Sequence, residues 1–267
     1  MCQLLGMNCN TPTDIMFSFT GFATRAEEHK DGFGVAFFEG RGVRCFVDAA
    51  SARASPVASM IASYPIRSEN VIAHIRKATQ GRVALENCHP FVRELWGRYW
   101  VFAHNGDLKN FCPSLHAAFR PVGDTDSERA FCWLMQEMNK AHASVPSVAE
   151  LTVTLAELVP RVAAHGSFNF MLSNGVALWA HCSTRLHSVV RRHPFTTAHL
   201  QDEDLSVDFA QHTAPSDRVA IVVTEPLTTD EPWHAFAPGE LKVFEGGEPV
   251  GLRGGLGAST DGSAPML

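Results

Sequence analysis

An apolar run opens the chain almost at its first residue. Residues 2–8 (Cys-Gln-Leu-Leu-Gly-Met-Asn) read as a buried strand, although chain ends ordinarily fray for want of neighbours. Such a start ties the beginning of the chain into a sheet core, and the downstream pattern supplies the other strands.

Residues 14–25 carry Ile15, Met16, Phe19, Phe22 and Ala23 at helical spacing behind a cap-type Asp14. Asp31-Gly32-Phe33-Gly34 leads into residues 35–38, which pair with 43–47 as a hairpin around Gly40-Arg41-Gly42. Ser55-Pro56 opens a short helix to Ser63, with proline at the first helical position. Residues 70–76 and 99–104 read as strands, and 79–96 between them as a polar surface loop. Two amphipathic helices follow, over 126–142 and 147–164. Strands are then expected at 168–172, 176–181, 186–190, 219–224 and 241–244. The glycine-rich residues 246–267 read as a mobile tail. Strands, a helical pair and strands again predict an α+β fold: two mainly antiparallel sheets with outer helices. No repeat or linker divides the chain, so residues 2–245 are expected to form one domain.

At 267 residues, 45% of them hydrophobic and 19% charged, the chain can bury a substantial core. A net charge of −6 argues against nucleic acid as a partner, because phosphate binding needs a basic face. No apolar run approaches the length of a membrane span, so no membrane partner is expected. The first six residues lack a basic region followed by a long apolar one, so no secretory leader is read. Seven scattered cysteines without a CxxC pair disfavour a disulfide framework and favour a cytoplasmic location.

The chain contains no GxxxxGK[ST], no GxGxxG after a strand, no GxSxG and no HExxH. His74, His89 and His104 lie fifteen residues apart, a looser spacing than metal ligands usually have, so no metal and no other cofactor is expected. Four features carry chemistry, each with an ordinary alternative. Removal of Met1 would leave Cys2 with both a thiol and a free α-amine, whose ordinary pKa values of about 8.5 and about 7.7–8.0 allow proton exchange near neutrality; otherwise Cys2 is a small buried residue. Arg76, in His74-Ile75-Arg76-Lys77-Ala78-Thr79, can grip a carboxylate with two parallel hydrogen bonds; otherwise it is a surface arginine. In His104-Asn105-Gly106 a side-chain amide and a backbone N–H can donate to one developing oxyanion; Asn-Gly is also a common tight turn. A carboxylate in Gly123-Asp124-Thr125-Asp126-Ser127-Glu128 can receive an ammonium, or serve the helix N-terminus.

These segments, with His89-Pro90-Phe91 and the Asp31-Gly32-Phe33-Gly34 loop, stand in the order and approximate spacing of the class II glutamine amidotransferases, and the chain resembles that family from about residue 2 to 244. The resemblance implies an N-terminal-nucleophile hydrolase with a four-layer αββα sandwich. It implies Cys2 as nucleophile, with its own amine as base and acid, and Asn105 with the Gly106 N–H as oxyanion hole. Arg76 would hold the α-carboxylate of a glutamine-like substrate, Asp126 its α-ammonium, and Thr79 would help position it. Many family members continue into a synthase domain, whereas here only the glycine-rich tail follows. The chain therefore resembles the stand-alone members, and a separate ammonia-accepting enzyme stays open as a partner. Three competitors remain: a γ-glutamyl peptide hydrolase using the same site, a catalytically silent regulator that binds a γ-glutamyl ligand, and a thiol hydrolase pairing an internal cysteine with His74 or His89.

Overall fold

The computed structural model describes residues 2–25, 31–52, 54–77 and 82–251. In its first half come β1 (Gln3–Asp14), α1 (Met16–Thr24), β2 (Phe33–Glu39), β3 (Gly42–Asp48), α2 (Pro56–Ser63), β4 (Arg67–Ile75), β5 (Phe91–Leu95) and β6 (Arg98–Leu108). A helical pair follows, α3 (Asp126–Ala141) and α4 (Val148–Ala163). The remainder is β7 (Gly166–Ser173), β8 (Ala177–His181), β9 (His187–Arg192), β10 (Thr197–His199), β11 (Ser206–Asp208), β12 (Arg218–Val223), β13 (His234–Ala235), β14 (Leu241–Glu245) and β15 (Glu248–Val250).

One sheet has the order β13-β9-β12-β1-β4-β2-β3 and the other β15-β14-β8-β7-β6-β5, all neighbours antiparallel; β10 and β11 form a separate ribbon. β1 is a central strand with a buried layer on each face. Leu5, Met7 and Cys9 point toward α1 and α2, while Leu4 joins Ile72, Met171, Leu178 and Phe244 between the sheets. At Gly6 the sheets approach so closely that a Cβ would lie 2.7 Å from Met171 Sδ. On the far side of the second sheet, Phe131, Leu134 and Met138 of α3 and Leu151, Leu155 and Val162 of α4 cover Trp100, Phe102, Phe168 and Trp179. Alternation along the strands thus feeds three cores, and the layers are αββα.

Two helices start at the expected serine caps. Ser55 Oγ accepts from the N–H groups of Val57 and Ala58, and Ser147 with Glu150 forms a capping box. Asp14 precedes α1 and accepts the Met16 N–H at 2.7 Å. Four expectations need correction. β1 runs on past Asn8 to Asp14, with an irregularity between Asn8 and Thr13. The expected loop over 79–96 contains β5, whose Phe91 and Leu95 are buried while Arg93 and Glu94 are less so; it reaches β6 through Trp96 and Gly97, both at positive φ. His104-Asn105-Gly106 is not a turn, because β6 continues to Leu108 and pairs Asn105 with Asn169. The segment after 245 begins with an ordered hairpin, β15 on β14; the rest of the expected tail, from 252, lies outside the described residues. Among the described residues, no helix is long and apolar enough to cross a membrane.

Arg191 of β9 forms a two-armed ion pair with Glu231, at 2.7 and 2.8 Å, and also donates to Ser18 Oγ of α1 at 3.0 Å. Both partners of the pair are under 9% exposed. Truncating Arg191 would strand a buried carboxylate, so Arg191→Ala is expected to lower stability by about 3–5 kcal/mol in urea denaturation. Arg185→Ala, at a half-exposed pair with Glu225, is expected to change it by less than about 1 kcal/mol.

Candidate active site

Antiparallel pairing of β1 and β4 puts Gln3 opposite Ile75, so the residues just beyond β4 lie beside the start of the chain. The Lys77 N–H donates to Cys2 Sγ at 3.1 Å, and the thiol donates back to the Lys77 carbonyl at 3.2 Å. The opposite sheet reaches the same point through β6. Asn105 shares the inter-sheet face of Val101 and Ala103, and its Nδ2 donates to the Cys2 carbonyl at 2.6 Å. Burial pushes the Cys2 thiol above its ordinary pKa, against the lowering effects of the Lys77 backbone and the Arg76 charge.

Arg76 is 3% exposed, which overturns the surface-arginine alternative. Its backbone N–H donates to the Gly32 carbonyl at 2.8 Å, and its Nη1 reaches the carbonyls of Asp31 and Arg82 at 3.3 and 3.1 Å. Asp126 is the first residue of α3 and is also buried. Capping there falls to Thr125, whose hydroxyl accepts the Glu128 N–H at 3.2 Å. The Asp126 carboxylate is therefore not spent on capping; its Oδ2 accepts the Leu108 N–H at 2.8 Å. Gly106 continues β6 beside Asn105, and a Cβ there would lie 1.8 Å from the Ser167 carbonyl oxygen. Thr79 lies outside the described residues.

The alternative clusters do not form a second centre. His74 and His89 pack against each other with ring centroids 4.3 Å apart and planes tilted by 40°. Burial, with His74, His104 and Arg76 nearby, holds His89 well below the ordinary imidazole pKa. Among the described residues no group of three or more His, Cys, Asp or Glu is placed to hold a metal ion. The thiols of Cys9 and Cys88 donate to backbone carbonyls, and burial pushes both to about 11. None of the internal cysteines hydrogen-bonds to an imidazole among the described residues, which removes the support for an internal Cys/His pair.

Sequence comparison adds the family. Residues 1–260 match the model of the glutamine amidotransferases class-II. The chain belongs to that family. It is 51% identical over 253 residues to a Haemophilus influenzae protein named "Putative glutamine amidotransferase", covering 94% of this chain and 86% of that one. With the "Putative glutamine amidotransferase YafJ" of Escherichia coli it shares 47% identity over 94% of this chain and 100% of the relative. The crystal structure of a "predicted glutamine amidotransferase" from Pseudomonas aeruginosa superposes with a TM-score of 0.76 at 42% identity, over 94% of this chain and 100% of that one.

Within this amidotransferase fold, some supporting residues were not expected from the sequence. Asn169 of β7 donates to the Asn105 carbonyl at 2.9 Å, and its Oδ1 accepts the Ser183 and Thr184 N–H groups, both at 2.9 Å. An amide inside Phe168-Asn169-Phe170 was the available signal, since a buried polar group in a strand needs partners. Glu128 likewise gathers Arg93 and the Val122 and Gly123 N–H groups, fixing the approach to α3. Because the β6–β7 ladder has no room beside Gly106, Gly106→Ala is expected to lower stability by about 1–3 kcal/mol in urea denaturation. Gly42→Ala, where the nearest atom would be 3.5 Å away, is expected to leave the unfolding midpoint close to that of the parent.

Proposed function

We propose that the protein hydrolyses the side-chain amide of glutamine, or of a related γ-glutamyl amide, through a γ-glutamyl thioester on Cys2. The observation that carries this reading is the hydrogen bond from Asn105 Nδ2 to the Cys2 carbonyl, which joins the two sheets at the start of β1. An amide nitrogen has two N–H bonds, so the one given to Cys2 leaves the other for a substrate oxygen.

Removal of Met1 would expose the Cys2 α-amine beside its own thiol. The amine takes the thiol proton as the sulfur attacks the amide carbon. Negative charge then develops on the amide oxygen, where Asn105 Nδ2 and the Gly106 N–H can donate; losing one such donor costs about 10²–10³ in kcat. The resulting ammonium gives its proton to the departing nitrogen, and ammonia leaves as the C–N bond breaks. Water, deprotonated by the same amine, attacks the thioester carbon and releases glutamate, returning the thiol.

The buried Arg76, just beyond β4, and Asp126, at the start of α3, suit the two ends of an amino acid. Arg76 would hold the α-carboxylate, Asp126 the α-ammonium, and Thr79 is proposed to help position the substrate. These contacts recognise the glutamyl part and say nothing of the leaving group, so ammonia and a larger amine both suit the chemistry. The released ammonia would go to solvent or to a separate accepting enzyme.

Intact-mass analysis is expected to show Met1 removed, and Cys2→Ala to abolish glutamate release. A tag that stays on the N-terminus should do the same, because it leaves the thiol and removes the amine; normal turnover by the tagged protein would exclude the mechanism. In a survey of γ-glutamyl compounds, Asp126→Asn is expected to raise KM about tenfold or more with a smaller change in kcat, matching loss of a charge-assisted contact. An unchanged KM would remove Asp126 from the site.

A further inference from the structure

His104 precedes Asn105 in β6 and by alternation faces the other way, toward α3 and the Phe168 ring at 5.1 Å. Both of its ring nitrogens are engaged. Nε2 lies 3.1 Å from the Ser167 carbonyl oxygen, which can only accept, so the ring proton belongs on Nε2. Nδ1 is then an acceptor, and Ser127 Oγ, 2.8 Å away, donates to it. The Ser127 hydroxyl has one proton to give. Its other acceptor, Asp126 Oδ1, is 3.5 Å away, and the shorter contact wins. With Oδ2 taking the Leu108 N–H, Oδ1 keeps its lone pairs on a carboxylate only 6% exposed.

We propose that His104 is a positioning residue for ammonium recognition: by accepting the Ser127 hydroxyl proton, it keeps Asp126 Oδ1 open for the α-ammonium of the substrate. The inference rests on the reading of Asp126 given above. Without an acceptor at Nδ1, the Ser127 hydroxyl turns to Asp126 and competes with the substrate for the same oxygen. Burial lowers the His104 pKa, against the raising effects of Asp126, the Ser167 carbonyl and Asp107, which keeps the ring a neutral acceptor near neutral pH.

The test is a double-mutant cycle read as KM and kcat for glutamate release. His104→Gln can still donate toward Ser167 but has no acceptor in place of Nδ1. It is expected to raise KM about tenfold with kcat within about twofold, the scale of one charge-assisted hydrogen bond. His104→Asn, whose Oδ1 can replace Nδ1, is expected to stay within about threefold of the parent. The decisive protein is His104→Gln with Ser127→Ala, in which no hydroxyl remains to occupy Asp126; its KM is expected to return toward the parent value. A double variant as weak as His104→Gln alone, or an unchanged KM in His104→Gln, overturns the proposal, since a packing role would not be rescued by removing Ser127. Titrating the same proteins with glutamate by calorimetry gives the same ordering as Kd, so the cycle stands where turnover fails and the hydrolytic reading falls. Absence of glutamate binding to the parent protein, or a His104 protonated on Nδ1 in long-range ¹⁵N NMR, overturns it as well.

Discussion

The site depends on a first strand that is buried on both faces. A leading strand at a sheet edge would fray, and Cys2 would move with it. Here β1 lies between β12 and β4, and Thr224 clasps Leu4 from both sides: its hydroxyl accepts the Leu4 N–H at 2.9 Å and its own N–H donates to the Leu4 carbonyl at 3.1 Å. Burying Leu4, Leu5 and Met7, each 1% exposed or less, contributes about 1.5–3 kcal/mol per side chain. That offsets much of the ordering entropy of the terminal residues, of order 1–2 kcal/mol each. Fixing Cys2 is thus a consequence of core packing several residues away.

A second constraint is electrostatic. Arg76 and Asp126 are both nearly inaccessible, at 3% and 6% exposure, one just past the end of β4 and the other at the start of α3. A buried ion loses several kcal/mol of hydration unless hydrogen bonds and opposite charge replace it. Carbonyls at Arg76, and the Leu108 N–H with the α3 N-terminus at Asp126, supply part of that replacement. Under the proposed function, the free γ-glutamyl end of the substrate is the zwitterion that meets both charges.

Much of this was legible in the sequence because it is local or periodic. The apolar run at residues 2–8, the helix at 56–63 with its Ser55 cap, and the amphipathic pair after residue 125 each carry their own signal. Less legible were features whose cause lies across the molecule. β5 has only Phe91 and Leu95 buried, and it becomes a strand by pairing with β6. His104-Asn105-Gly106 has turn composition, yet the β7 ladder holds it extended. Arg76 reads as a surface cation, and carbonyls that include those of Asp31 and Arg82 help to make its burial tolerable. The motif order brought the family within reach, whereas the bracing by Asn169 and the division of labour between Thr125 and Asp126 are three-dimensional facts.

The fifteen-residue spacing of the histidines is where periodicity misleads most, and it bears on which group can act as base. His104 faces α3, away from the inter-sheet face of Asn105, and both its nitrogens are taken. His89 packs against His74 and is held well below the ordinary imidazole range, which makes it a weak proton acceptor at neutral pH. Meanwhile burial raises the pKa of the Cys2 thiol. Under the proposed function, the thiol proton leaves during attack, to a group that is close and titrates near neutrality. The hydrogen bonds of Cys2 Sγ go to the Lys77 backbone and to no side chain among the described residues. An α-amine on the same residue, with an ordinary pKa of about 7.7–8.0, meets both conditions without needing any neighbour to be placed.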